Sequence, residues 1–263
     1  IVNLLDLVAV SIATDLVSVK GENRVLAFYG LKQLNEAPRK GLLSMIKLSG
    51  LEKHTISIDD IVFKIGPRIN AAGRMESGRM AVDLLTSRRE EDALNIGKEI
   101  NVHNNERKNV DREITIEAIE MVKRSPDFEK RKSTVVYTSQ WHKGVVGIVA
   151  SRLTETYYRP TIVLTAGEDG IISGSARSVG GFDIYAAIDS CHDLLTNFGG
   201  HKYAAGLSMR IDDLPAFRER FEAYVAAHIQ PNQLQPTLDI EAELQLGDIT
   251  KSFYNVLRHL EPF

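Results

Sequence analysis

The runs Thr134-Val135-Val136-Tyr137 and Thr161-Ile162-Val163-Leu164 flank a helical pattern from Gly147 to Tyr158. Both runs are rich in β-branched residues, so each predicts a strand. Residues 171–176 follow the second run after the turn Gly167 to Gly170, which predicts a β-hairpin. Strands that alternate with a helix in this way predict an α/β domain.

Later elements complete this domain. Helices are predicted at residues 183–189 and 214–229, with a strand at 207–211 between them. The segment from Pro231 to Pro236 is predicted to be a linker. The predicted α/β domain therefore covers residues 127–230.

One long helix is predicted before this domain, over residues 87–126. Ala93, Ile96 and Ile100 recur at helical spacing, and the pattern resumes from Val110 to Met121. At 1.5 Å per residue this helix would be about 55 Å long, so we expect a connector between two domains. The polar stretch from His103 to Asn109 predicts an exposed segment in its middle.

The two ends of the chain follow other patterns. Residues 1–86 are predicted to be helical, with one helix ending at Gly66-Pro67 and a loop from Asn70 to Gly78. Near the other end, Leu238 to Leu244 alternates like a strand and Thr250 to Leu260 like a helix. Two elements cannot form a domain, so this tail either packs on the α/β domain or begins a further one. Because the chain opens at Ile1 without methionine, we expect a fragment.

The composition excludes several classes of protein. Among 263 residues, 43% are hydrophobic and 25% are charged, as in ordinary globular proteins. The single cysteine, Cys191, cannot form a disulfide within the chain, which favours a reducing, cytoplasmic location. No apolar run is long enough to span a bilayer, so we expect no membrane association. The net charge of −3 disfavours a basic coat for nucleic acid but permits a local basic groove.

The most prominent local motif is Gly199-Gly200-His201. Adjacent glycines expose backbone N–H groups and let a ligand approach closely. The histidine adds a donor suited to phosphate. An isolated motif of this kind is more often a tight turn with a core histidine, but the small residues up to Gly206 favour a phosphate-binding loop.

A second motif combines hydroxyls with one cation: Ser175, Arg177 and Ser178 lie together at the end of the predicted hairpin. A guanidinium can bind phosphate through two parallel hydrogen bonds. A polar loop with Arg177 in a surface salt bridge is an equally good interpretation.

Two further stretches suit anions. Trp141 to Gly147 forms a strand-to-helix turn, and the N–H groups at a helix start bind anions. For Trp141 itself, core packing is favoured over stacking on a base. Residues 64–79 contain four basic residues and one acidic residue, which gives a local charge of +3. This charge suits contact with a nucleic-acid backbone, and a solvated loop is an equally good interpretation.

Asp15 is the remaining candidate. By default an aspartate after Ser11-Ile12-Ala13-Thr14 is a helix cap. A metal site would need further carboxylates or histidines nearby. The chain contains no Asp-x-Asp or Asp-His-His motif, so the residues alone favour a cap.

Together these motifs resemble the RecJ exonuclease family of the DHH phosphoesterase superfamily. The resemblance covers essentially the whole chain, from Asp6 to Asp15, through Gly66 to Met75 and Trp141 to Gly147, to Gly199 to Gly206. Each motif alone is weak, but their order and spacing are specific. The resemblance implies an α/β fold of four parts. These are the C-terminal part of a DHH-type domain (1–86), a long connector helix (87–126), a DHH-associated substrate-binding α/β domain (127–230) and the start of an oligonucleotide-binding-fold domain (231–263).

The resemblance also implies hydrolysis of single-stranded DNA from the 5′ end, in DNA repair and recombination, with two Mn²⁺ or Mg²⁺ ions. Asp15 would be one metal ligand, and the other ligands would precede Ile1. His201 would be catalytic and would bind substrate phosphate with Gly199 and Gly200. The implied backbone contacts are Ser175, Arg177 and Ser178, with Asn70 and Arg74 lining a cleft between the domains.

Two alternatives stay open. One is a DHH-family phosphoesterase that acts on short oligonucleotides or cyclic dinucleotides, and the other is a non-catalytic nucleic-acid-binding fragment. For the exonuclease itself we expect residues 1–263 alone to be inactive, because one carboxylate cannot hold two metal ions. No coiled-coil seam requires a dimer, so we expect a monomer.

Overall fold

A computed structural model describes residues 2–263, so Ile1 lies outside the described residues. The chain forms two compact units, one made of Ile1–Arg107 with Asp239–Phe263 and the other of Lys108–Leu238. The helices are α1 Leu5–Thr14, α2 Gly21–Glu36, α3 Lys40–Leu48, α4 Ile58–Asp60, α5 Gly66–Met75, α6 Gly78–Thr86, α7 Glu90–Arg124, α8 Val146–Tyr157, α9 Ile184–Asp189, α10 Leu214–His228 and α11 Lys251–Arg258. The strands are β1 Thr134–Tyr137, β2 Thr161–Ala166, β3 Ile171–Arg177, β4 Asn197–His201 and β5 Ala204–Arg210.

The first unit is helical, as predicted, around a core that includes Leu42, Met45 and Ile61. Asp6 on α1 is fully buried, and Arg39 holds it through two hydrogen bonds of 2.6 and 2.7 Å. A buried carboxylate without a partner is energetically costly. This bidentate ion pair removes that cost and connects α1 to the start of α3.

Two predictions in this unit are wrong. Residues 70–75 belong to helix α5 rather than to a loop, and Gly66-Pro67 begins that helix instead of ending one. A π-helical turn, Ile61–Ile65, leads directly into α5. Proline is tolerated there because the first turn of a helix needs no N–H partner. Gly66 fits where a side chain would not, since an added Cβ would lie 2.3 Å from Thr14 Cγ2.

The long helix is confirmed as α7, which has 35 residues and is about 52 Å long at 1.5 Å per residue. Its first turn is acidic and its last turn is basic, as the helix dipole favours. The expected exposed middle is wrong at Asn104, which is fully buried. Arg107 Nη2 donates to Asn104 Oδ1 at 3.2 Å, which gives the buried amide oxygen a partner.

The second unit is built on a five-stranded sheet of order β1-β2-β3-β5-β4. β1 and β2 are parallel and connected through α8, whereas the other pairs are antiparallel. The predicted hairpin is confirmed, with Ile162 opposite Ala176. One face of the sheet packs into a core with α9 and α10 that contains Leu207 and Phe217. The fold is mixed α/β.

The tail departs from its prediction. No strand forms at residues 238–244, where Leu238 is 87% exposed and finds no neighbouring strand among the described residues. The helix near the end is confirmed as α11. Residues 239–263 group with the first unit rather than with the α/β domain, and Arg24 donates to the carbonyl oxygen of Pro262 at 3.3 Å. The four-part division of the chain stays a prediction.

Within residues 2–263 no helix combines the length and the apolar character that crossing a membrane requires.

Candidate nucleic-acid interface

One face of the sheet gathers most of the predicted site residues of the second unit. In one row Ser175 lies opposite Gly206, which lies opposite Gly199. In the next row on the same face Arg177 lies opposite Ala204, which lies opposite His201. Since side chains alternate between the two faces of a strand, Ser175, Arg177, Gly199 and His201 share one side. We call this surface the polar sheet face.

Helix α8 begins directly against this face. A Cβ added at Gly147, in the first turn of α8, would lie 3.1 Å from Arg177 Nη2 and 3.3 Å from Ser175 Oγ. The helix has no side-chain cap at its start. The partial positive charge of its first N–H groups therefore lies beside the guanidinium, and the two together favour an anion.

Arg177 is held in a defined position. Its Nη1 donates to Ser175 Oγ at 2.6 Å and to the carbonyl oxygen of Ala176 at 2.8 Å. Ser175 thus orients the guanidinium. Ser178 shapes the adjacent loop, because its hydroxyl donates to the Phe182 carbonyl at 2.9 Å and its N–H to the Tyr203 carbonyl at 3.0 Å. Their role as DNA contacts stays a prediction.

The Gly199-Gly200-His201 motif lies on an edge strand, β4, rather than in the predicted loop. Gly200 has a φ of +153° and faces the core side, where an added Cβ would lie 2.4 Å from the carbonyl oxygen of Ala204. Gly199 faces the opposite way, with nothing within 4 Å of an added Cβ. One glycine therefore lets β4 approach β5, and the other leaves the polar sheet face open.

His201 is exposed at the end of this open surface. Its Nδ1 accepts a hydrogen bond from the N–H of Tyr203 at 3.3 Å. In the neutral imidazole the proton then resides on Nε2, which can donate to a phosphate oxygen. Ala204 lies between His201 and Arg177 on this surface, so no bulky side chain separates the two donors.

Trp141 is buried, which confirms core packing over base stacking. Its Nε1 donates to Glu117 Oε2 at 2.7 Å, and Thr165 Oγ1 donates to its carbonyl at 2.6 Å. These bonds fix the turn that leads into α8. Cys191 is buried as well, and burial raises the pKa of its thiol, so it does not serve as a thiolate nucleophile.

The remaining predicted residues belong to the first unit. Asp15 is exposed after the last turn of α1, where Ser11 Oγ donates to its Oδ2 at 3.4 Å. Asn70 and Arg74 are exposed one turn apart on α5, so they share one side of that helix. Arg68 Nε donates to Asn101 Oδ1 at 3.0 Å, and burial lowers the pKa of Arg68. Part of the basic stretch is therefore structural.

Asp15 belongs to no group of potential metal ligands within the part of the chain that the structure describes. Among residues 2–263, no three His, Cys, Asp or Glu side chains lie close enough to hold one. The described residues by themselves do not fit a two-metal centre.

Comparison with known proteins shows what the chain is similar to. Residues 131–227 match the DHHA1 domain family. The single-stranded-DNA-specific exonuclease RecJ of Bacillus subtilis is 38% identical over 99% of this chain and 33% of its own length. Crystal structures of RecJ from Thermus thermophilus with Mg²⁺ and with Mn²⁺ match 100% of this chain at 29% identity. Their TM-scores are 0.87 and 0.86 over 40% and 38% of those chains.

The chain is therefore similar to RecJ over nearly its whole length. It spans between a third and two fifths of the length of these relatives. The resemblance to RecJ and the α/β fold that it implied are confirmed.

Two features of this site have no signal in the sequence. Gly147 is predicted only as part of a helix start, yet it lets α8 approach Arg177. Ala204 is predicted only as one small residue of a loop, although it forms the floor between Arg177 and His201. The role of Ala204 depends on strand register and that of Gly147 on the packing of α8 against the sheet, and no local pattern in these residues specifies either.

Proposed function

We propose that this chain supplies the substrate-binding part of a metal-dependent exonuclease that degrades single-stranded DNA from the 5′ end, in DNA repair and recombination. One observation carries the proposal: Arg177, the start of α8 and His201 converge on the open polar sheet face. The RecJ relatives, which are single-stranded-DNA-specific exonucleases, support it.

The proposed contacts divide between two positions on the face. Arg177 and the first N–H groups of α8 take one phosphate, because a fork of donors and a helix start favour the same anion. His201 binds a neighbouring phosphate through Nε2 as the catalytic contact. Gly199 and Gly200 let the DNA strand lie close to β4. Ser175 and Ser178 support these contacts. Asn70 and Arg74 add contacts from the first unit.

We further propose that the exonuclease uses two Mn²⁺ or Mg²⁺ ions, the metals of the Thermus RecJ structures. Asp15 would be one ligand. Since no group of three ligating side chains occurs in residues 2–263, the other ligands would come from outside them.

The test compares substrates and one matched pair of variants in the longer protein that contains this chain. A 5′-ended long single strand should be degraded, whereas a duplex and a dinucleotide should not. His201→Ala should lower the rate at least about 100-fold, as loss of one transition-state donor does. His228→Ala is the control, because that ring stacks on Tyr224 at 4.0 Å on α10. Normal degradation by His201→Ala would reject the site, and preference for the dinucleotide would favour a phosphoesterase for short substrates.

The 263-residue chain alone separates binding from cleavage. We expect it to bind a labelled single strand in fluorescence anisotropy but not to cleave it with Mn²⁺ or Mg²⁺. Cleavage that EDTA abolishes would contradict the assignment of metal ligands outside the chain.

We also propose a monomer located in the cytoplasm. Light scattering after size exclusion should give the 29.3 kDa of one chain, and a doubled mass would contradict a monomer.

A further inference from the structure

A second cluster of cations lies around β1, at the opposite edge of the sheet from β4. Arg131, Arg159 and Arg218 line a cavity of about 270 Å³ there. Within the part of the chain that the structure describes, no carboxylate lines this cavity. The cavity is thus a separate feature from Arg177 and His201.

The three arginines differ in their partners. Arg131 pairs with Glu219 at 2.8 Å. Arg159 is buried and donates to Thr134 Oγ1 at 2.7 Å and to the carbonyl oxygens of Phe128 and Arg131 at 2.8 and 2.9 Å. These acceptors are neutral, and the guanidinium also lies over the Phe128 ring at 4.8 Å, so Arg159 organises the segment before β1.

Arg218 on α10 is the arginine whose bonding is incomplete. Its Nε is buried and has no hydrogen-bond partner among residues 2–263. Burial lowers the pKa of Arg218, and the nearby charge of Arg131 lowers it further. A buried charged donor without an acceptor is costly, and an anion in the cavity would remove that cost.

A carboxylate one turn along α10 from Arg218 is engaged elsewhere. Glu222 accepts hydrogen bonds from the N–H groups of Lys132 at 2.7 Å and Ser133 at 2.9 Å. It therefore fixes the loop before β1 without satisfying the Nε of Arg218.

We propose that this cavity binds the phosphate group of a small phosphate monoester, with Arg218 as the direct donor. A guanidinium fork matches the tetrahedral oxygens of phosphate. Beyond the cations the wall combines apolar side chains with hydroxyl residues, namely Met121, Val122, Val135, Ser125, Ser133 and Thr134. A cavity of about 270 Å³ limits the rest of the ligand to a group of nucleoside size.

The experiment titrates the 263-residue chain and follows the Nε–H signal of Arg159 by ¹⁵N–¹H NMR. The three ligands are inorganic phosphate, a nucleoside 5′-monophosphate and the same nucleoside without phosphate. We expect the signal to shift with both phosphates but not with the nucleoside. Tighter binding of the monophosphate would identify a nucleotide, and equal binding would identify free phosphate.

Arg218→Gln should weaken binding about 10-fold or more, as loss of a charge-assisted hydrogen bond does. Arg220→Gln is the matched control, since it removes the same charge from α10 at an exposed ion pair with Asp193. If Arg218→Gln unfolds the domain, Arg218→Lys is the variant that tests the proposal. It keeps the positive charge but lacks the paired donors of the guanidinium, so it should still bind phosphate more weakly than the wild type. Absence of a phosphate-dependent shift, or equal affinities for the Arg218 and Arg220 variants, would overturn the proposal.

Discussion

The paired glycines of β4 offer the sharpest test of the polar sheet face, because neighbouring substitutions should have opposite effects. At Gly200 an added methyl would lie 2.4 Å from Ala204 O and 2.5 Å from Ala205 Cα, both of them backbone atoms. Overpacking of this kind costs about 1–3 kcal/mol, and the φ of +153° adds about 1 kcal/mol or more of strain. We expect Gly200→Ala to lose about 2–4 kcal/mol.

At Gly199 the same methyl meets open space and projects from the polar sheet face. Alanine in a strand interior is about 0.5–1 kcal/mol better than glycine, so stability should be unchanged or slightly higher. The methyl would nevertheless occupy the polar sheet face in the row next to His201, which Gly199 shares with Gly206 and Ser175. We expect single-strand affinity to fall about 10-fold, as when one charge-assisted hydrogen bond is lost.

The assays are thermal denaturation and fluorescence anisotropy with a labelled single strand on the 263-residue chain. A loss of about 2–4 kcal/mol corresponds to a melting temperature lower by roughly 4–16 °C for a chain of this size. Wild-type affinity in Gly199→Ala would refute the assignment of the polar sheet face as the DNA surface. Unchanged stability in Gly200→Ala would refute the close approach of β4 to β5.

Two further predictions concern the first unit. Asp6→Asn removes the buried ion pair of Arg39 and should lower the free energy of unfolding, measured in urea, by about 3 kcal/mol. The control is Asp193→Asn, at an exposed ion pair, which should lower it by less than about 1 kcal/mol. Equal losses in the two variants would contradict a stabilising role for the buried pair. Burial alone would raise the pKa of Asp60, but hydrogen bonds from Lys64 and Ser57 outweigh it and lower that pKa. A lowered folded-state pKa gives stability that is present above the unfolded pKa, about 4, and is lost as the pH falls through the folded pKa. Asp60→Asn should therefore flatten the fall in stability below about pH 4, and an unchanged slope would contradict this.

The strands and the long helix could be predicted because their signals are local. β2 is a run of β-branched and apolar residues, and the pattern of α7 repeats over many turns. β4 has no such signal, since Asn-Phe-Gly-Gly-His has low strand propensity and its pairing with β5 alone makes it a strand.

The wrong predictions also arise because tertiary contacts, and not local sequence patterns, decide the structure at these positions. Ala71 and Ala72 suggest a loop because they are small, yet both are fully buried and their size lets α5 pack closely on its neighbours. Leu238 to Leu244 has strand alternation, but an alternating pattern becomes a strand only where another strand offers hydrogen bonds. The polar sheet face could be predicted as a set of motifs but not as one surface, because register brings Arg177 and His201 together.

The same reasoning explains why net charge is a poor guide to anion binding. The net charge of −3 includes +3 between Lys64 and Arg79 and −5 from Ile211 to the end. The proposed contacts on the polar sheet face carry few formal charges: one oriented guanidinium, the N–H groups of α8 and the imidazole of His201. Fixed donors in a partly desolvated position act more strongly per charge than mobile surface lysines do. Such a surface can bind the DNA backbone in a chain that is slightly acidic overall, because the positions of its donors matter more than their total charge.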